Sequence, residues 1–322
     1  MERKPVPKLV TVFGGSGFIG RHLVRTLAKR GYLVRVAVRR PDLAGFLQPL
    51  GNVGQIQAVQ ANLRYRWSVD RAVQGASHVI NLVGLLYETG GQRFNSVQDF
   101  GARAIAEASR AVGARLTHVS AIGADPESES LYARSKAAGE AAVRETLPGS
   151  VICRPSIVFG PEDDFFNKFA SIARFSPFLP LIGGGTTQFQ PVYVVDVAEA
   201  LARSVDGQVE GGKVYELGGP EILTFRQCME KVLEVTHRRR LLVSIPWNVA
   251  RLQGSILGML PKPLLTRDQV TLLEIDNVVS EKAIAEKRTL AGIGITPHSV
   301  DPILPQYLWR YRATGQYVRQ DA

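Results

Sequence analysis

The chain has 322 residues, 45% hydrophobic and 21% charged, with 39 Lys and Arg against 29 Asp and Glu for a formal net charge of +10. This composition describes a globular chain and excludes disorder, and two cysteines, Cys153 and Cys228, exclude a disulfide scaffold. No apolar run reaches the roughly 18 to 20 residues of a membrane-spanning helix, and the short, basic, polar stretch 1–8 is not expected to be a secretory signal.

The positive balance favours acidic partners. Its densest run is Arg238, Arg239 and Arg240, but no recognition helix, zinc knuckle or aromatic RNA motif accompanies it, so nucleic acid is not an expected partner. The five histidines show no paired ligand spacing and no metal is expected. Both cysteines read as small buried hydrophobes.

In chain order, Leu9–Phe13 is apolar and partly β-branched, as a strand buried on both faces would be. Gly14, Gly15, Gly17 and Gly20 follow, and residues 18–30 read as a helix. Glycines so placed between strand and helix make a dinucleotide cradle. A side chain at the tight turn would block the backbone's approach to a pyrophosphate, and one at Gly20 would push the helix off the sheet. The helix amino terminus offers free N–H groups and a partial positive charge. Residues 32–38 are the second strand. An NAD-selective site carries Asp or Glu at the end of that strand for the ribose 2′-hydroxyl. Here stand Arg39 and Arg40, whose guanidinium groups fit a 2′-phosphate. The pattern favours NADPH/NADP, with Asp42 keeping NAD as the alternative.

Residues 41–54 are a connection with helical character, 55–60 a third strand, 68–74 a short helix and 77–83 a fourth strand, followed by Gly84. Ligands of a doubly wound sheet lie at the carboxyl ends of its strands, which places Asn62, Leu63, Val83 and Gly84 along the adenine and ribose. A long helix over 95–112, a fifth strand over 116–120, a helix over Leu131–Thr146 and a sixth strand over 151–154 closed by Pro155 complete the alternation. The fold class is therefore α/β, with a doubly wound parallel sheet. Beyond Phe159 the pattern loosens through an acidic turn, an aromatic helix and a triple-glycine loop; strand and helix return over 192–205, and another strand over 214–217. Thr224 caps a helix ending at Thr236, and a smaller, mainly helical region follows from Arg238. The expected domains are 8–160 plus 191–214, and 161–190 plus 215–322.

Tyr132 and Lys136 sit one helical turn apart on one face. An ammonium beside a phenol lowers its pKa from about 10, which is how a tyrosine serves as acid or base near neutral pH. The same lysine can bond a nicotinamide ribose.

Gly14, Gly17 and Gly20, the run Asn81 to Gly84, Tyr132 with Lys136, and RPSIVFG at 154–160 together resemble the extended or atypical short-chain dehydrogenase/reductase superfamily over roughly residues 8–220. The resemblance implies a Rossmann sheet of about seven strands with a small carboxyl-terminal domain. It implies that the loop from Gly14 to Gly20, including Ser16, Phe18 and Ile19, holds the pyrophosphate, and that Arg39 holds a 2′-phosphate. It further implies that Asn62 and Leu63 contact adenine, that Tyr132 and Lys136 flank the nicotinamide ribose, and that Pro155 and Ile157 face the nicotinamide. There is one departure. Active members end the fifth strand with a Ser or Thr that polarises the substrate carbonyl, commonly the second of a Ser-Ser pair. Here Ser120 matches the first serine and Ala121 stands in place of the second. Loss of such a donor lowers turnover by about 10² to 10³ without touching nucleotide binding.

FGPEDDFFNKFA at 159–170, QPVYVVDV at 190–197, LTRDQVTLLEIDN at 265–277 and ILPQYLWRY at 303–311 resemble one subgroup more narrowly. That subgroup is the NADPH-binding accessory subunit of respiratory complex I and its bacterial relatives. It implies a nucleotide held as a structural element, complex I subunits as partners, and a peripheral position on the cytoplasmic side of the respiratory membrane. The intact Tyr132/Lys136 pair supports a second reading, a cytoplasmic NAD(P)-dependent oxidoreductase, epimerase or dehydratase acting on a small carbonyl or nucleotide-sugar compound. A third is a free-standing NADP(H)-sensing regulator. The apolar segment 245–265 either packs on its own domain or forms an amphipathic surface for a partner or anionic membrane, with Arg238, Arg239 and Arg240 near lipid phosphates.

Overall fold

The computed structural model describes residues 8–89, 93–260, 263 and 265–314. Residues 1–7 of the basic start, and Pro261, Lys262 and Leu264 of the carboxyl-terminal apolar segment, lie outside them. The chain forms two compact units. One gathers Met1–Pro155, Val195–Glu216 and Glu281–Ile295; the other gathers Ser156–Val194, Leu217–Ser280 and Thr296–Ala322.

In the first unit the alternating pattern folds as expected. The elements in chain order are β1 (Leu9–Phe13), α1 (Phe18–Lys29), β2 (Leu33–Val38), β3 (Ile56–Gln60), α2 (Arg66–Val73), β4 (His78–Asn81), α3 (Phe100–Ala111), β5 (Arg115–Val119), α4 (Leu131–Thr146), β6 (Val151–Pro155), α5 (Val194–Asp206) and β7 (Val214–Leu217). The strands make one seven-stranded sheet in the order β7-β6-β5-β4-β1-β2-β3, and the pairs among β1 to β6 are parallel. The order reverses between β1 and β4, the topological switch point at which α/β sheets take their ligands. α1 lays Leu23, Val24 and Leu27 on the sheet, each fully buried and each contributing about 1.5 to 3 kcal/mol. On the side of α2, α3 and α4, Phe13, Val69, Val79, Ile105, Leu116 and Val143 form a continuous core.

Several element ends differ from the sequence reading; α2, for one, begins at Arg66. β4 stops at Asn81 because the Asn81 Oδ1 accepts the Val83 N–H at 3.0 Å and draws the chain out of the ladder. β5 stops at Val119, so Ser120 stands just past the strand, its N–H donating to Cys153 O at 2.7 Å. The helix expected over 95–112 opens as a π-helical turn, Asn95–Asp99, before α3 begins. The backbone at Glu216 donates to Arg288 O at 2.9 Å, which ties Glu281–Ile295 to the first unit.

The second unit is built around an aromatic core in which Phe159, Phe166, Phe189 and Phe225 are all but inaccessible. Helices Phe166–Phe175 and Phe225–Thr236 and the parallel pair Phe178–Ile182 with Leu241–Ile245 surround it. Thr224 caps its helix as expected, in a full capping box with Gln227. Val192–Tyr193 pairs with Val158–Phe159 in a small sheet of its own. Helix Trp247–Leu257 packs one face on its own unit and leaves apolar side chains exposed on the other. Ala250 and Gly254 are buried against the unit, whereas Val249, Leu252 and Ile256, with Met259 and Leu260 beyond, are exposed. Cys153 and Cys228 are buried and free, burial pushing both thiols up to about 12.

Candidate dinucleotide site

The turn after β1 is shaped by what its glycines lack. Gly14 has φ +77° and its carbonyl accepts the Gly17 N–H at 3.0 Å. A Cβ on Gly20 would lie 2.5 Å from Gly14 O and 2.6 Å from the Gly15 carbonyl carbon, so only glycine lets α1 start this close beneath the turn. A Cβ on Gly14 would lie 3.3 Å from Val83 Cγ2, which shows the β1 turn and the β4 loop side by side at the switch point. Gly17 caps α1 with no side-chain hydrogen bond, so the first-turn N–H groups are left for an anion. Ser16, Phe18 and Ile19 are half-buried in the same loop, and Val83 is half-buried beside exposed Gly84. A backbone cradle that side chains would fill, next to an uncapped helix terminus, fits a dinucleotide pyrophosphate.

Past β2 the two arginines separate. Arg40 is committed to Asp42, Nη2 to Oδ2 at 2.7 Å, and that carboxyl is held below its ordinary range by the guanidinium. Arg39 is exposed and makes no hydrogen bond or ion pair among the described residues. Past β3, Asn62 Oδ1 accepts the Arg64 N–H at 3.2 Å and shapes the loop, while Leu63 is buried against Gly101.

Beyond β5 the structure brings Ser120, Tyr132 and Lys136 to one end of the sheet. Ser130 caps α4, accepting the Ala133 N–H at 3.3 Å, and so sets the helix that carries Tyr132 and Lys136. Lys136 is buried, with its ammonium 5.9 Å from the Tyr132 ring centroid and donating to Val119 O at 3.3 Å. Its Nζ also lies 3.1 Å from where a Gly84 Cβ would stand, so a side chain there would crowd the ammonium. Burial pulls the Lys136 ammonium down to about 8, against the opposing pull of the Glu140 carboxylate one turn on. Tyr132 packs edge-on against Phe94 at 6.1 Å. Ser120 Oγ is buried and without a hydrogen-bond partner, an orphan polar atom at the carboxyl end of β5.

Sequence reasoning passed over the groups that hold this arrangement. Asn81 Nδ2 meets His118 Nδ1 at 3.1 Å, and burial, with the Lys136 charge second, holds His118 down to about 3, neutral beneath the lysine. Glu140 is fully buried, taking Arg154 in a bidentate pair at 2.7 and 2.8 Å and Arg144 at 2.9 Å. The available signals were polar residues interrupting apolar strand runs, Asn81 and His118, and a glutamate at i+4 from Lys136. Pro155 ends β6 in the first unit. Ile157 belongs to the second, its N–H held by Asn277 Oδ1 at 3.1 Å. No group of side chains fit to hold a metal ion occurs among the described residues.

Residues 10–218 match the model of the NAD dependent epimerase/dehydratase family. The chain belongs to that family. Family membership and the glycine cradle make the first unit a nicotinamide-dinucleotide fold. The "NADH dehydrogenase [ubiquinone] 1 alpha subcomplex subunit 9, mitochondrial" of Arabidopsis thaliana is 35% identical, over 95% of this chain and 79% of its own length. A "Ceramide reductase" of Caulobacter vibrioides is 39% identical over 60% of this chain and 59% of its own. A dTDP-glucose 4,6-dehydratase from Streptomyces venezuelae, solved with NAD and TYD bound, shares the fold at a TM-score of 0.70 and 20% identity, covering 94% of this chain and 96% of that one.

Proposed function

We propose that this chain is an NADP(H)-holding accessory subunit associated with respiratory complex I, peripheral to the membrane on its cytoplasmic side and without turnover of its own. The observation that carries this reading is the 35% identity to the complex I subunit of Arabidopsis over nearly the whole chain, both units included. NADP(H) over NAD(H) is supported by the β2 end. The one carboxylate there, Asp42, is neutralised by Arg40, and the unengaged Arg39 is the group for a 2′-phosphate. The loop from Gly14 to Gly20, with Ser16, Phe18 and Ile19, holds the pyrophosphate at the amino terminus of α1. Asn62, Leu63, Val83 and Gly84 line the adenine and ribose, and Lys136 and Tyr132 take the nicotinamide ribose. Pro155, at the end of β6, is the candidate for the nicotinamide face. No described helix is long and apolar enough to cross a membrane. The bare face of Trp247–Leu257, with exposed Leu252 and Ile256, supports contact with an anionic membrane surface.

A bound nicotinamide dinucleotide supplies a hydride donor or acceptor. The second reading, a working oxidoreductase, epimerase or dehydratase, is favoured by the orphan Ser120 Oγ, which could donate to a substrate carbonyl, with Tyr132 positioned to hold the proton. The 39% identity to a ceramide reductase supports it as well. Native electrophoresis of gently solubilised membranes separates the two, with this protein and NADH:quinone oxidoreductase activity followed in one lane. Co-migration that survives Tyr132→Phe and is weakened by Arg39→Glu is the expected result. A protein absent from that band, with NADPH turnover abolished by Tyr132→Phe, overturns the accessory reading.

A further inference from the structure

β3 is the outer strand of the seven-stranded sheet and pairs with β2 alone. Val34 N–H bonds to Gln55 O and Ala61 N–H to Val38 O, both at 2.9 Å. The odd-numbered residues of the strand therefore face β2, and the peptide groups of Ile56, Ala58 and Gln60 turn outward. Soluble sheets protect such an edge with lysine, proline, a bulge or a very short strand. The five residues Ile-Gln-Ala-Val-Gln carry neither charge nor proline. Ile56 is buried, Ala58 is half-buried and Gln60 is exposed, so the template for strand addition is the Ala58 to Gln60 end of the edge.

Beside it lies a groove of about 460 Å³ between β3 and α2, lined by Gln57, Gln60, Arg35, Trp67 and Arg71. Trp67 and Arg71 are one helical turn apart on the same face of α2, and Trp67 is 65% exposed. Large exposed aromatics and arginines are the side chains that anchor protein interfaces. The charge here is one-sided. Arg35 Nη1 donates to Ala72 O at 2.9 Å and Gln74 O at 2.6 Å, so no carboxylate offsets its charge. Arg71 makes no ion pair among the described residues. The nearby carboxylates Asp70 and Glu107 are both taken by Arg66.

We propose that this edge and groove form a docking site for an extended, acidic segment of a partner protein, which adds as a strand to β3. Its carboxylates would meet Arg35 and Arg71, and an apolar residue would rest on Trp67. A second copy of this chain is disfavoured because pairing the same edges brings the same arginines together. Nucleic acid answers the charge but has no backbone that completes a β-ladder. The site is separate from the dinucleotide turn and stands whichever reading of that turn holds.

The test places photoreactive benzoyl-phenylalanine at Gln57 of the full chain in its native cells, with the same group at exposed Gln208 as control. The expected adduct is a polypeptide segment of net negative charge, absent from the Gln208 control. The double variant Trp67→Ala with Arg71→Glu should cut its yield at least about tenfold. Both of those residues are exposed, and an unchanged melting temperature would show that the variant is folded. No adduct, an adduct on a neutral or basic segment, on nucleic acid, on lipid or on another copy of this chain, or a yield indifferent to the double variant, overturns the proposal.

Discussion

Lys136→Met should make the protein more stable at neutral pH while weakening its hold on the nucleotide. The lysine is 5% exposed and its ammonium is pulled from an ordinary 10.5 down to about 8 by burial. At about 1.4 kcal/mol per tenfold change in proton affinity, that is on the order of 3 kcal/mol of unfavourable charge burial. The sign follows from linkage: the folded chain binds this proton more weakly than the unfolded chain. The burden is therefore complete below pH 8 and is relieved as pH rises toward 10.5. Methionine keeps the apolar stem and removes the charge, but it also removes the donor to Val119 O at 3.3 Å, worth about 0.5 to 1.5 kcal/mol. The expected net gain is about 1.5 to 2.5 kcal/mol at pH 7, a rise of about 3 to 10 °C in the melting temperature of the first unit. The gain should vanish by pH 10. Thermal unfolding of both proteins from pH 7 to 10, with NADPH titrated calorimetrically at pH 7, measures both halves. A variant less stable than the parent at pH 7, or a difference that does not change with pH, would refute the charge-burial argument. Unchanged NADPH affinity would refute the lysine's part in the site.

Gly20→Ala must displace backbone at Gly14 and Gly15; it should destabilise by about 1 to 3 kcal/mol and lower dinucleotide affinity, whereas Gly45→Ala, which meets nothing within 4 Å, should be neutral in both assays. Arg39→Glu should lower NADPH affinity at least about tenfold and spare NADH, while Arg40→Glu, on the guanidinium already held by Asp42, should do much less; fluorescence titration with both nucleotides checks the pair. His78 and His118 are both held neutral, from an ordinary 6.5 down to about 3, by burial, so stability should be lost as pH falls from 6.5 toward 3. Replacing them with amides that keep their bonds, His78→Gln and His118→Asn, should flatten that acid limb of the melting curve.

Much of the first unit was legible because its signals are short. The glycine spacing, the β-branched run before it and the alternation of strands with helices each depend on neighbours within a few residues, where sterics and periodicity dominate, as does the Thr224 cap in the second unit. Element ends were less legible. β4 ends at a side-chain hydrogen bond from Val83 N–H to Asn81 Oδ1 that no periodicity encodes, and β5 ends at Val119, one residue short of the sequence reading. Segment 245–265 could be read two ways because an amphipathic helix buries one face whatever covers the other. Only the packed unit shows Ala250 inside and Leu252 outside.

By itself the sequence determined the α/β class, the glycine cradle, the Tyr132/Lys136 face of α4 and family membership, since all of these reside in local spacing and residue type. Tertiary structure decided the strand order that sets the β1 turn against the β4 loop. It also decided the burial that lowers the Lys136 ammonium, the Asn81–His118 and Glu140–Arg154 supports beneath it, and the bare edge of β3. Those features depend on which distant residues are excluded from water together, and desolvation belongs to the assembled fold, not to any window of the chain.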